Sequence, residues 1–229
     1  MSLLGKAALA MWWDMAPEMR REFEDWHTHE HFAERLGVPG FRRATRWLDA
    51  FGGEGVFVMY ELDDHAVLGS APYLARLNAP SPWSAKMMPH HRQMVRSQCR
   101  VLESAGGAVA RHALTVRLSP AAGGDDGLRL RTALKAQIDA LPKRPGLVGA
   151  HLLRHEAPAI ATTTEQQIRG LRDQVADWVL VAVGYDLDAL RELVRAGFGS
   201  DALRAAGASE VGFSGIYALS HSATPGDFG

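Results

Sequence analysis

A single cysteine, Cys99, stands in a chain of 229 residues. No internal disulfide framework and no cysteine-rich metal site can be built from it, which fits a reducing cytoplasm. An excess of charge of one sign is missing as well: 25 lysines and arginines face 26 acidic residues, for a net charge of −1. The arginines are scattered, so no basic field draws in nucleic acid. The longest apolar run near the N-terminus, Ala7 to Trp13, is too short for a membrane span and lacks a small-residue cleavage site after a basic start. The sequence therefore predicts a cytoplasmic protein that binds neither nucleic acid nor membrane. No glycine-rich phosphate loop follows a strand and no Gly-x-Ser-x-Gly occurs, which argues against nucleotide chemistry and serine hydrolysis. Apolar residues are abundant, at 47%, enough for one large core or two small ones.

Along the chain one order of elements is written twice. Lys6 to Trp13 reads as a strand, Pro17 to Leu36 as a helix stopped by Gly37 and Pro39, and Phe41 to Leu48 and Val56 to Glu61 as a hairpin around Gly52-Gly53. Asp64 caps a second helix to about Leu77, with a break at Pro72, and Asn78 to Pro89 reads as irregular before a strand over Gln93 to Leu102. Ser104 to Gly107 reads as a hinge. Beyond it come a strand (Val109 to Leu118), a helix (Leu128 to Leu141), a short helical insertion (Thr163 to Arg172) and a last strand (Val211 to Ser220). Val38-Pro39-Gly40-Phe41 is echoed by Arg144-Pro145-Gly146-Leu147 at an offset of 145 − 39 = 106, and the strand end Tyr60 to Asp64 by Gly184 to Asp188, which leads into an apolar helix.

The expected fold is thus α+β: two ferredoxin-like β-α-β-β-α-β units in tandem, residues 5–103 and 107–222, with a disordered tail over 223–229. Each unit leaves one sheet face bare. Strand residues Phe41, Thr45 and Trp47, and Val56, Val58 and Tyr60, are expected on that face, so two copies would cover each other within one chain as a barrel-like pair of sheets.

Most of the local chemistry lies between Trp26 and Phe41. At about 100° per residue, Met19, Phe23, Trp26 and Ala33 form an apolar stripe with Glu30 in its middle, while His27, His31 and Glu34 line its border. A buried carboxylate needs a partner or a proton. Glu30 therefore either pairs with Arg43 or Arg46, His31 capping a buried carbonyl, or belongs to a site. At the repeat offset Trp26, His27, Glu30 and His31 correspond to Thr132, Ala133, Ala136 and Gln137, so any site belongs to the first half alone. In that reading His31 is the general acid or base and Glu30 its orienting partner or the base itself. Trp26, His27, Arg43, Arg46 and Tyr60 would bind substrate, the arginines and tyrosine stabilising an enolate or carboxylate. Histidines 27 and 31, at i and i+4, also have the spacing of a metal pair, with His90, His91 or His151 as a third donor or a haem ligand, but no His-Glu-x-x-His is present.

Trp26, Glu30-His31 and Val38-Pro39-Gly40-Phe41, with the arginine-rich strand and the Tyr60-Glu61-Leu62-Asp63-Asp64 strand end, resemble the EthD-like branch of the dimeric α+β barrel superfamily. Only Glu30-His31 and the Pro39-Gly40 turn carry over residue by residue. The resemblance implies a superfamily of cofactor-free monooxygenases, cyclases, isomerases and haem-handling proteins, with ligands held between a sheet face and the helices or loops at one end. The resulting expectation is a cofactor-independent enzyme acting on a small aromatic or lactone-like metabolite by proton abstraction, leading to isomerisation, cyclisation or oxygenation, and open to assembly as a homodimer. Its alternatives are a non-catalytic ligand-binding or stress-related barrel, and a haem- or metal-binding protein.

Overall fold

The β-branched and aromatic runs of the sequence become eight strands. In the computed structural model, which describes residues 3–122, 127–170 and 173–228, with only the backbone of Phe213, they are β1 (Ala7–Asp14), β2 (Phe41–Asp49), β3 (Gly55–Leu62), β4 (Arg92–Gly106), β5 (His112–Pro120), β6 (Leu147–His155), β7 (Trp178–Gly184) and β8 (Ala208–Ala223). The helices are α1 (Pro17–Trp26), α2 (Phe32–Leu36), α3 (Ala71–Asn78), α4 (Pro82–Met87), α5 (Leu128–Ala140), α6 (Thr164–Ile168), α7 (Leu187–Ala196) and α8 (Ser200–Ala206). None of the described helices is long and apolar enough to cross a membrane.

Each half has the ferredoxin-like strand order, β4-β1-β3-β2 in the first and β8-β5-β7-β6 in the second. Antiparallel pairing of β2 with β8 and of β4 with β6 joins the two sheets edge to edge into one closed barrel. Closure leaves no free sheet edge. Inside lie Ala8, Ala10, Trp12, Trp47, Phe57, Met59, Val179 and Val181; outside, each half-sheet carries its own helix-covered core.

The duplication is visible in backbone chemistry. Gly40 has φ +97° and Gly146 φ +84°, the left-handed region open to glycine at little cost. The carbonyl of each accepts from the end of the neighbouring strand, Gly40 from Asp63 N–H at 2.9 Å and Gly146 from Tyr185 N–H at 2.9 Å. One residue beyond Asp63 and Tyr185, Asp64 and Asp186 cap the next turn, accepting from Ala66 N–H and Asp188 N–H.

Several expectations change. Val56, Val58 and Tyr60 face the helices, not the barrel interior, which takes the alternate residues Phe57 and Met59. A bulge between Phe41 and Arg43 likewise puts Phe41 on the helix side, while Trp47 points inward as expected. The break at Pro72 becomes a 3₁₀ turn (His65–Gly69) followed by α3, which Ser70 caps. The stretch read as irregular contains α4, because Ser81 accepts from Ser84 N–H at 2.9 Å ahead of Pro82. β4 runs through the supposed hinge to Gly106, where pairing with β6 holds it. β8 extends to Ala223, and Thr224 caps a 3₁₀ turn (Pro225–Asp227) where a disordered tail was expected; Gly229 lies outside the described residues. The insertion condenses into α6, residues 171 and 172 of the expected helix lying outside the described ones.

Candidate active site

Between α1 and α2 the helix makes a π-turn (His27–His31), in which Phe32 N–H donates to the carbonyl of His27, five residues back. The wider turn inserts one residue into the α period. Buried positions run Phe23 and Trp26 ahead of it, His27 and His31 within it, and Phe32, Arg35 and Leu36 beyond it, the last three one step later than a uniform 100° predicts. That step rotates His27 and His31 from the border of the stripe to its buried centre and Glu30 from the centre to the half-buried edge.

The carboxylate of Glu30 consequently meets neither Arg43, Arg46 nor His31. It accepts from Trp26 Nε1 at 3.1 Å, from Ser81 Oγ at 2.5 Å and from Ser84 Oγ at 3.4 Å, tying the helix to α4. Arg43 is also elsewhere, in a bidentate pair with buried Glu61 (Nε–Oε1 2.6 Å, Nη2–Oε2 2.9 Å). Arg46 packs over the Phe23 ring at 5.5 Å and donates to Glu24 O, Thr28 Oγ1 and Ser220 Oγ. It has no carboxylate partner among the described residues, and burial lowers its pKa to about 10. Neither arginine lines the cavity described next.

The structure does bring Trp26, His27, His31 and Tyr60 together, around a cavity of about 30 Å³ between the outer face of β1 and β3 and the helix. That is room for a water or two. Its apolar wall includes Leu9, Met11, Trp13, Met88 and Met94, and its polar lining adds Arg35, Tyr73, His91, Arg96, Glu165 and Arg169. Trp26 lies tilted against His31 at 4.6 Å, with 37° between ring planes, and His91 lies 4.7 Å from Trp13, both measured between ring centroids. Six of these residues hold buried polar atoms with no hydrogen-bond partner among the described residues: Trp13 Nε1, His27 Nδ1, His31 Nδ1, Arg35 Nη1, Tyr60 Oη and both ring nitrogens of His91. Natural proteins leave few such groups unpaired, and here they converge on one space.

Burial sets the electrostatics. It holds His27 and His31 well below the usual imidazole range, helped for His27 by His31 and Arg46 and for His31 by Arg35. His91 falls to about 3 for the same first reason, with Arg169 adding to it. The rings are neutral at pH 7. Burial also pushes the Tyr60 phenol up, so it stays a donor. Arg35 stays charged: burial works against it, but the Glu165 carboxylate together with Tyr73 and Tyr60 raises its pKa.

Glu165 and Arg169 reach this cavity from the second half, on and just after α6. They, with Arg35, Tyr73 and Arg96, were not picked out from the sequence; the one available signal was the insertion itself. Arg35 pairs with Glu165, Glu165 Oε2 lies 3.7 Å from Arg169, and Arg169 holds Asp173 at 2.8 Å. Arg96 donates to Tyr73 Oη at 2.9 Å. Among the described residues the second half shows no equivalent site: α5 is regular and buries Leu130, Leu134 and Ile138, and the repeat positions Thr132 and Ala136 are exposed. His151 belongs to the barrel interior, satisfied by Ser104 Oγ at 2.8 Å and Gly107 O at 3.1 Å. Among the described residues no group of three or more His, Cys, Asp or Glu is arranged to hold a metal ion.

No protein-family model and no curated protein matches the sequence. Solved structures do match in fold. An anthrone oxidase-like protein superposes with a TM-score of 0.64 at 13% identity over 100% of this chain and 97% of its own. A candidate monooxygenase from Fusobacterium nucleatum gives 0.63 at 8% identity, over 97% and 96%. A haem-binding protein from Thermus thermophilus gives 0.51 at 11% identity, over 95% and 92%. The chain thus has the ferredoxin-like, dimeric α+β barrel fold, with both modules carried in tandem. This architecture is shared with monooxygenase-like and haem-binding proteins.

Proposed function

We propose that the cavity beneath the π-turn is the site of a cofactor-independent reaction on a small aromatic or lactone-like metabolite, begun by proton abstraction and ending in isomerisation, cyclisation or oxygenation. The observation that carries this reading is the convergence of unpartnered buried polar atoms from six residues on one space. Neutral His31 is a proton acceptor, and Tyr60 Oη and Arg35 Nη1 are donors for the oxygen that becomes anionic when a carbon acid ionises. A weakly basic imidazole suits an acidic C–H, and the enolate formed beside it raises its proton affinity in return. Trp13 and Trp26 are flat walls for a ring. Glu30 acts through Trp26, which it holds in place. The Trp26 to Phe41 motif supports placing the chain in the EthD-like branch, and the anthrone oxidase-like relative in fold supports an enolisable aromatic ketone as a first substrate.

Anthrone supplied with oxygen, without added metal or cofactor, provides the test, followed as quinone absorbance and oxygen uptake. The wild type should turn over and His31→Ala should lose at least ~10²-fold. Equal rates for the two, or no difference from buffer, would remove this reading. Haem binding is the second reading, favoured by the unpartnered nitrogens of His27, His31 and His91, each a competent axial donor. A porphyrin is larger still than the ring proposed above, so the cavity would have to open further to take it. A haemin titration with no Soret shift ends that reading.

A further inference from the structure

The cavity is too small for the ring it is proposed to bind, and the element that fills its polar end comes from the other module. Arg35 is 3% exposed and Glu165 4%, so their ion pair is buried, an arrangement in which desolvation offsets much of the attraction. Nη2 of Arg35 holds Glu165, yet Nη1 has no acceptor among the described residues, and neither has Tyr60 Oη at the same cavity. Two donors thus stand unfilled beside an occupied one. Glu165 has a second cation within reach, Arg169 at 3.7 Å, itself anchored by Asp173. It can therefore leave Arg35 without becoming an unpaired buried charge. Its helix is five residues long and packs on α3 and on the 3₁₀ turn Met88–His90; among the described residues one further hydrogen bond ties it to the first module, Thr164 N–H to Asn78 Oδ1 at 3.1 Å. Three guanidiniums line the cavity (Arg35, Arg96, Arg169) against the one lining carboxylate, Glu165, with Asp173 on Arg169 and Glu34 3.9 Å from His31 Nδ1 just outside it.

The geometry points to Glu165 as an internal stand-in for the ligand's own anionic group: an aromatic monocarboxylate displaces it from Arg35, Glu165 withdraws to Arg169, and the outward shift of α6 opens the space the ring needs. This rests on the cavity being the ligand site. It deepens that reading by naming a carboxylate on the substrate and by making the second module's Glu165 a specificity-determining residue.

Calorimetry with 2-naphthoate and its neutral counterpart 2-naphthylmethanol tests both layers. Wild-type protein should bind the acid at least ~10-fold more tightly than the alcohol, a neutral ring such as anthrone entering only weakly. Glu165→Gln, which removes the competing carboxylate and keeps the side-chain shape, should bind the acid at least ~10-fold more tightly, since a site blocked in most molecules shows a correspondingly weakened apparent affinity. Arg35→Met should abolish binding of the acid. Hydrogen exchange on the wild type needs no variant: saturating 2-naphthoate should speed exchange over Thr164–Ile168 while slowing it in the π-turn. Unchanged or weaker binding by Glu165→Gln, or slower exchange in α6, overturns the displacement. Equal binding of acid and alcohol with slowed exchange in the π-turn overturns the displacement and leaves the cavity as a ligand site. Binding of neither probe overturns both.

Discussion

His27 and His31 lie almost ring over ring, 5.3 Å between centroids and 26° between planes, in a shell that includes Phe23, Trp26 and Phe32. Each is neutral in the fold because burial disfavours its charge. His91, lowered to about 3, and His151, lowered to about 4, are neutral for the same reason. Once unfolded, all four take protons below their ordinary pKa near 6.5. The unfolded state then holds more protons than the native one, so stability is full above that pH and falls as pH drops through the window between 6.5 and the folded values. The slope approaches about 1.4 kcal/mol per pH unit for each such ring. Urea midpoints measured from pH 8 to pH 5 should fall steadily below pH 6.5, and His31→Gln should flatten the curve by roughly one ring's share. A flat profile would show that these rings already carry protons in the native protein.

Trp26 offers a second prediction. Its indole N–H is held by Glu30 Oε1 at 3.1 Å and Ser84 Oγ at 3.2 Å, while its ring face lies against His31. Glu30→Ala removes an acceptor also used by Ser81 and should lower stability by about 1–2 kcal/mol and shift the tryptophan emission. Glu30→Gln retains an acceptor oxygen and should recover most of both. Glu30→Gln should also keep most of the wild-type turnover; a carboxylate acting directly as the base would instead leave Glu30→Gln folded as the wild type but inactive.

The repeat itself can be probed at its glycines. A Cβ on Gly146 would lie 2.6 Å from Ala189 Cβ, and one on Gly40 2.5 Å from Val67 Cγ2, both at positive φ. At Gly52, φ +83°, an added Cβ meets nothing within 4 Å. Gly52→Ala should thus cost only the left-handed strain of about 1–2 kcal/mol. Gly40→Ala and Gly146→Ala add a clash worth roughly another 1–3 kcal/mol. Thermal melts of the three variants should separate Gly52→Ala from the other two; three equal shifts would remove the packing argument.

These glycines also mark how far the sequence could be read. The β-α-β-β-α-β order and its duplication followed from local signals: Pro-Gly turns, capping aspartates and alternating apolar residues; the expectation that any site belongs to the first half alone did not allow for Glu165 and Arg169, which line the cavity from the second. Where side chains point depended on departures from ideal periods, which no local signal announced. The bulge at Phe41 to Arg43 changed which strand residues face inward, and the π-turn exchanged the places of Glu30 and His31. Arg35 and Glu165, 130 positions apart, could not be paired from spacing. Their meeting depends on the β2–β8 and β4–β6 seams that close the barrel.

The π-turn can be removed without touching any cavity residue. His29 lies on its exposed side, and a π-turn is an α-helix with one residue too many, so deleting His29 should restore a regular helix. Phe23 and Trp26 before the deletion and Phe32, Arg35 and Leu36 after it would then share one continuous α stripe, keeping the same core contacts. The shortened chain should therefore fold with a stability within about 1 kcal/mol of the parent, the size of an ordinary surface change. What it should lose is the setting of His31 against His27 and Trp26. Anthrone turnover should fall at least ~10-fold, because groups misplaced by about an ångström lose much of their catalytic effect. If the deletion instead unfolds the protein, the π-turn is part of the scaffold. If it leaves turnover intact, the wide turn has no role in placing the imidazoles.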